Sequence, residues 1–130
     1  MRDSWSPDEE SDEKPEEEYT SSPCWEFYIA GVQFHELHTV LAEIQEGDYL
    51  NMVLEPTNKY DGNAVRLEWY DQHEPPEAVM LGYVPMKKNF SAEVTAAITI
   101  NEKVTCKVIH FDPTAKKWEQ CRVRVEVENV

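Results

Sequence analysis

The chain has 130 residues, 26 of them acidic and 12 basic, for a formal net charge of −14; 41% are apolar and 11% aromatic. That length suits one domain and excludes two, and the apolar share supports a core without staples, since a domain of this size buries roughly two-thirds of its unfolded surface. The charge excludes holding nucleic acid by bulk attraction, though not by a local basic patch.

Residues 1–22, MRDSWSPDEESDEKPEEEYTSS, are polar and acidic. A segment with so little to bury cannot offset its ordering entropy, and a disordered acidic tail is expected there, ahead of a folded domain over 23–130. Nothing in it has the basic start and apolar core of a signal peptide, and no apolar run approaches the ~20 residues that cross a bilayer. Cys24, Cys106 and Cys121 are widely spaced and odd in number, which fits a reducing compartment. A soluble, cytoplasmic protein is expected.

From Pro23 the pattern becomes β-prone. A strand is expected over 24–32, and a loop or single helical turn over 38–46, stopped by Gly47. Asp48–Glu55 alternates, with Leu50, Met52 and Leu54 on one face. Ala64–Tyr70 alternates again, with Val65, Leu67 and Trp69 on one face. A proline-containing loop over 71–77 separates it from a short strand over 79–84. Asn89 or Ser91 can cap a helix over 91–100, where Val94, Ala97 and Ile98 have helical spacing. Strands follow over 103–111 and 118–127, with the turn Asp112–Lys117 between them. In the last, Val123, Val125 and Val127 face one way and Arg122, Arg124 and Glu126 the other. Six short antiparallel strands with one helix predict a mainly β, closed or partly closed small barrel, because a flat sheet would leave long edges.

Charge divides along the folded part. Residues 20–78 carry eleven acids and two bases, whereas residues 79–125 carry four acids and eight bases. The basic second half can hold phosphates if its side chains share one groove.

The connection Asn58-Lys59-Tyr60-Asp61-Gly62-Asn63 joins two alternating runs. Asp-Gly is a hairpin signal, and Asp and Asn side chains bond local backbone in turns. This explains Asp61 and Gly62 but requires neither Asn58 nor Tyr60. An aromatic beside an amide and a carboxylate makes a pocket for a planar, hydroxyl-bearing ligand.

These residues and several others resemble the HIRAN domain family. The resemblance rests on Ile29-Ala30-Gly31-Val32-Gln33-Phe34, Gly47-Asp48-Tyr49-Leu50, Leu54-Glu55-Pro56 with Asn58 to Val65, and Leu81-Gly82-Tyr83-Val84-Pro85. It covers roughly residues 25–127. It implies a small six-stranded, OB-like barrel that binds single-stranded DNA and captures a free 3′-hydroxyl end, with no catalytic step, in DNA repair or replication restart. Carried over, Asp61 would accept the hydrogen bond of the 3′-hydroxyl and Asn58 would contact the end nucleotide. Tyr60 and Phe34 would stack on bases or sugar, and Trp118 would add an aromatic contact. Tyr83 stands where some members have a phosphate-contacting His; Lys87 and Lys88 fall near a basic position of the family. Gln33 stands beside the stacking aromatic, where DNA-binding helicase members carry a basic residue. A helicase or other DNA-processing protein is implied as a further partner.

The residues also admit other readings. The acidic surface could dock on a basic protein. Asp48, Glu55 and Asp61 could gather a divalent ion, as in a nuclease. His35-Glu36-Leu37-His38 is not the His-Glu-x-x-His string of zinc proteases, and neither metal nor cofactor is expected.

Overall fold

The computed structural model describes residues 23–128 apart from 33, 34, 72 and 102. The tail over 1–22 and two of the expected site residues, Gln33 and Phe34, lie outside the described residues. In chain order the elements are β1 (Cys24–Tyr28), β2 (Tyr49–Glu55), β3 (Ala64–Tyr70), β4 (Ala78–Tyr83), α1 (Phe90–Ile100), β5 (Val104–Phe111) and β6 (Cys121–Val127). Short 3-10 turns occupy Leu37–Thr39, Lys87–Asn89 and Lys117–Glu119.

Alternation dictates the strands. In β6 every second residue from Cys121 to Val127 is buried, and Arg122, Arg124 and Glu126 point outward. Val65, Leu67 and Trp69 of β3 are buried in the same core. In β2 burial fades along the strand. Leu50 is buried and Met52 partly so, but Leu54, expected on the core face with them, is exposed one residue from the strand's end.

The strands form one antiparallel sheet in the order β1-β6-β5-β2-β3-β4. The sheet curls until its two outer strands meet just beyond β1. Ala30 N–H donates to the Tyr83 carbonyl at 2.8 Å, and Tyr83 N–H donates to the Ala30 carbonyl at 2.9 Å. This single bridge is the seam of the expected small barrel. It needs Gly82 beside it, because a Cβ there would lie 2.4 Å from the Ala30 carbonyl oxygen and 2.6 Å from Ile29 Cγ2.

Helix α1 ties the two sides of the curled sheet together. Phe90 packs against Phe27 of β1, with ring centroids 5.5 Å apart, and Trp25 Nε1 donates to Glu93 Oε1 at 2.8 Å. On the other side Thr95 Oγ1 donates to the Asn63 carbonyl at 2.8 Å, so the helix also holds the β2–β3 connection. The start of α1 corrects the expected cap. Asn89 occupies the cap position with φ 61° and gives no side-chain bond, while Ser91 is buried and its N–H donates to the Pro85 carbonyl.

Gly82→Ala forces a methyl group into backbone that cannot swing aside. A loss of about 3 kcal/mol is expected, at the upper end of the usual overpacking range. Urea unfolding should show it as a lower midpoint at an unchanged m-value.

Candidate functional site

Four connections gather at the seam end of the barrel: the segment after β1, the β2–β3 turn, the segment after β4, and the turn before β6. Together they line a groove of about 620 Å³, within the size range of small-molecule sites. Asn58, Tyr60, Asp61, Tyr83, Lys87 and Trp118 all line it, so six of the nine expected site residues share one groove. Lys88 does not; it stands in the left-handed conformation, with φ 56°, between Lys87 and Asn89.

The turn is built by Asn58. Its Oδ1 accepts from Tyr60 N–H at 2.9 Å and from Asp61 N–H at 3.1 Å. Its Nδ2 donates to Glu55 Oε1 at 3.2 Å. Most of the polar capacity of Asn58 is thus spent on the protein itself. Asp61 in turn accepts Asn63 N–H on Oδ1 at 2.8 Å. Among the described residues no donor reaches its other oxygen, Oδ2, and the residue is partly buried. Tyr60 is 82% exposed and Trp118 58%, so both rings offer uncovered faces. Trp118 corrects the expected strand boundary: it stands in the 3-10 turn before β6, where tertiary pairing with β5 ends.

Glu55 is a residue whose role the sequence did not disclose. Its Oε1 accepts the Tyr83 hydroxyl at 2.8 Å as well as the Asn58 amide, and its Oε2 lies 3.2 Å from Arg66 Nη1. Arg66 Nε also lies 2.8 Å from Glu68 Oε2, though not aligned as a hydrogen bond. Burial alone would raise the Glu55 carboxyl. The Tyr83 and Asn58 donors, with the Arg66 and His35 charges, outweigh burial and hold it below its ordinary value of 4.5. Burial, and then the bond to Glu55, push the Tyr83 hydroxyl above its own usual range. That hydroxyl is committed to Glu55 and is not a free phosphate donor.

The basic second half of the chain does not converge on the groove. Lys103 pairs with Glu128 at 3.2 Å. Arg122 and Arg124 both reach Glu26 at 3.4 Å, and Arg124 reaches Glu126 at 3.2 Å. Lys87 lines the groove, and Lys116 Nζ sits 5.9 Å from the Trp118 ring that lines it.

The carboxylates of the nuclease reading do not gather either. Asp48 Oδ2 accepts Trp69 Nε1 at 3.0 Å and Gln45 N–H at 3.0 Å, while Glu55 is held by Tyr83. Among the described residues the one group of three with converging ligand atoms is Asp71, His73 and Glu77, in the loop after β3. There the Asp71 carboxylate accepts both His73 and Glu77 N–H groups, which organises the loop. No helix among the described residues is long and apolar enough to cross a membrane.

Comparison with known proteins adds to this geometry. A family model for the HIRAN domain matches residues 23–128. The fold is similar to that of a protein from Lactobacillus plantarum, with a TM-score of 0.56 and 16% identity over 83% of this chain and 99% of that one. It is similar to the HIRAN domain of human HLTF, with a TM-score of 0.56 and 12% identity over 83% of this chain and 79% of that one. Identities this low speak to the fold alone. No curated protein matches the chain.

The Glu55 hub has a pH signature. A carboxyl whose folded value is lowered stabilises the fold fully above its unfolded value, and that stability is lost as pH falls through the folded value. Glu55→Gln should cost about 1.5–3 kcal/mol at neutral pH, the range for a hydrogen bond to a charged group. The gap between the unfolding midpoints of wild type and variant should narrow as pH falls below 4.5. A gap that stays constant from pH 7 to pH 3 would contradict an ionised Glu55 at the hub.

Proposed function

The chain belongs to the HIRAN domain family, a family of DNA-binding modules, and from that premise we propose that its groove binds single-stranded DNA by a free 3′-hydroxyl end. The observation that carries this reading is Asp61. One of its oxygens is fixed by the turn and the other has no partner among the described residues, and it lines the same groove as the uncovered rings of Tyr60 and Trp118.

The mechanism is binding, with no bond made or broken. Tyr60 and Trp118 stack on the last bases, at about 1–3 kcal/mol per base and without regard to sequence. The open Asp61 oxygen accepts the terminal hydroxyl. A 3′-phosphate brings negative charge to the same carboxylate and is rejected. Lys87 and Lys116 hold the phosphates that enter from the rim. Asn58 acts here by placing Asp61, rather than by spending its own amide on the nucleotide. Such an end-binder serves repair or restart of damaged replication intermediates, beside a helicase or other DNA-processing protein.

The net charge of −14 favours a second reading, in which the acidic surface docks on a basic nucleic-acid enzyme.

Anisotropy at low salt with short strands ending in 3′-hydroxyl or 3′-phosphate separates the two. The hydroxyl end should bind about 10–100-fold tighter, the worth of one charge-assisted hydrogen bond. Asp61→Ala should abolish that preference, and Tyr60→Ala should weaken the hydroxyl-ended strand about tenfold. Equal, weak binding of both strands, with a protein partner recovered instead, favours the second reading.

A further inference from the structure

Four strands present a second aromatic and cationic surface on the outside of the barrel. Phe27, Val123, Val125, Cys106, Val108 and Leu50 are buried, so their strand neighbours project outward. Those neighbours are Tyr28 and Glu26 of β1, Arg122 and Arg124 of β6, Lys107 of β5 and Tyr49 of β2. The registers place them side by side: Tyr28 opposite Arg122, Glu26 opposite Arg124, Arg124 opposite Lys107, and Lys107 opposite Tyr49.

Contacts run from the groove to Arg124, and strand register carries the face on to Lys107. Tyr28 lines the groove, and the Arg122 guanidinium lies 5.4 Å from its ring. Arg122 and Arg124 share Glu26, each at 3.4 Å. Lys107 Nζ lies 5.9 Å from the ring of Tyr49, which is 62% exposed. Stacking rings with cations between them is the composition that holds single-stranded nucleic acid. Exposed ion pairs such as those of Glu26 are weak, so an incoming phosphate can take the arginines from it.

Resting on the end-binding reading of the groove, we propose that the outer face of β1, β6, β5 and β2 is a second contact track, which carries the single strand upstream of the captured end from Tyr28 across Arg122, Arg124 and Lys107 to Tyr49. Continuity through Tyr28 selects this face, and its three cations outnumber its two carboxylates, Glu26 and Glu126. Glu26 sits within the track as a built-in competitor, which sets how tightly upstream nucleotides are held.

The test uses the full chain and 5′-labelled, hydroxyl-ended oligothymidylates of about four and about twelve nucleotides, lengths within the site-size range of OB folds. The longer strand should bind about tenfold tighter or more. Tyr49→Ala should cost it about tenfold, and Lys107→Ala should reduce its salt slope by about 0.7. Glu26→Gln keeps the side chain's shape, removes the competing charge, and should tighten the longer strand severalfold. The short strand should be unaffected by all three and reports that each variant is folded. The track is overturned if the longer strand binds no tighter than the short one, if none of the three substitutions changes it, or if they change both strands equally. Failure of the short strand to bind counts against the groove instead; dependence of the longer strand on Lys107 and Tyr49 would then still support the track.

Discussion

One pair of backbone hydrogen bonds, between Ala30 and Tyr83, decides what this sheet can do. In strand order β6 and β3 are separated by β5 and β2, which in a flat sheet is about 14 Å. Curling until the outer strands meet brings the turn before β6 and the turn before β3 to one groove. Trp118 and Asp61 share that groove only because the seam is closed. Two backbone hydrogen bonds contribute only about 0.5–1.5 kcal/mol each, so the seam depends on what surrounds it. Gly82 permits the close approach, and α1 clamps β1 on one side and the β2–β3 turn on the other.

From the seam a line of hydrogen bonds reaches the candidate ligand group. The residue whose backbone closes the barrel, Tyr83, donates its hydroxyl to Glu55; Glu55 accepts the Asn58 amide; Asn58 accepts the Asp61 N–H. Each link is satisfied by the next, and the line ends on a carboxylate with one oxygen fixed. Such an arrangement preorganises an acceptor without using it up. Charge along this line is balanced locally. Arg66 balances the charge of Glu55 locally, and Lys87 stands at the groove.

Local pattern made most of the fold legible. The alternation of Val123, Val125 and Val127, and of Val65, Leu67 and Trp69, placed β6 and β3 within a few residues and on the correct faces. Asn58 and Tyr60, which an Asp-Gly turn alone does not require, both line the groove. What local pattern could not carry was anything set by distant partners. Trp118 is a β-prone residue three positions ahead of β6, yet pairing with β5 ends at Cys121 and leaves it in a turn. Whether the basic residues of the second half share one groove depends on distant partners, and β1 lies against β6 and supplies Glu26 to two of them. Nothing near Glu55 in sequence reveals that Tyr83, 28 residues away, donates to it. Tyr28 carried no signal as a groove residue, since its position there follows from the seam.

If Asp61 receives a terminal hydroxyl, the amides around it must respond to the chemistry of the strand's end. The most direct measurement is an amide NMR titration of the full chain with a short single strand, first ending in 3′-hydroxyl and then in 3′-phosphate. The hydroxyl-ended strand should shift the amides of Tyr60, Asp61 and Asn63 most, because the Asp61 carboxylate already accepts Asn63 N–H. The phosphate-ended strand should leave those amides nearly still. Equal shifts from both strands, or shifts confined to residues away from this turn, would contradict it.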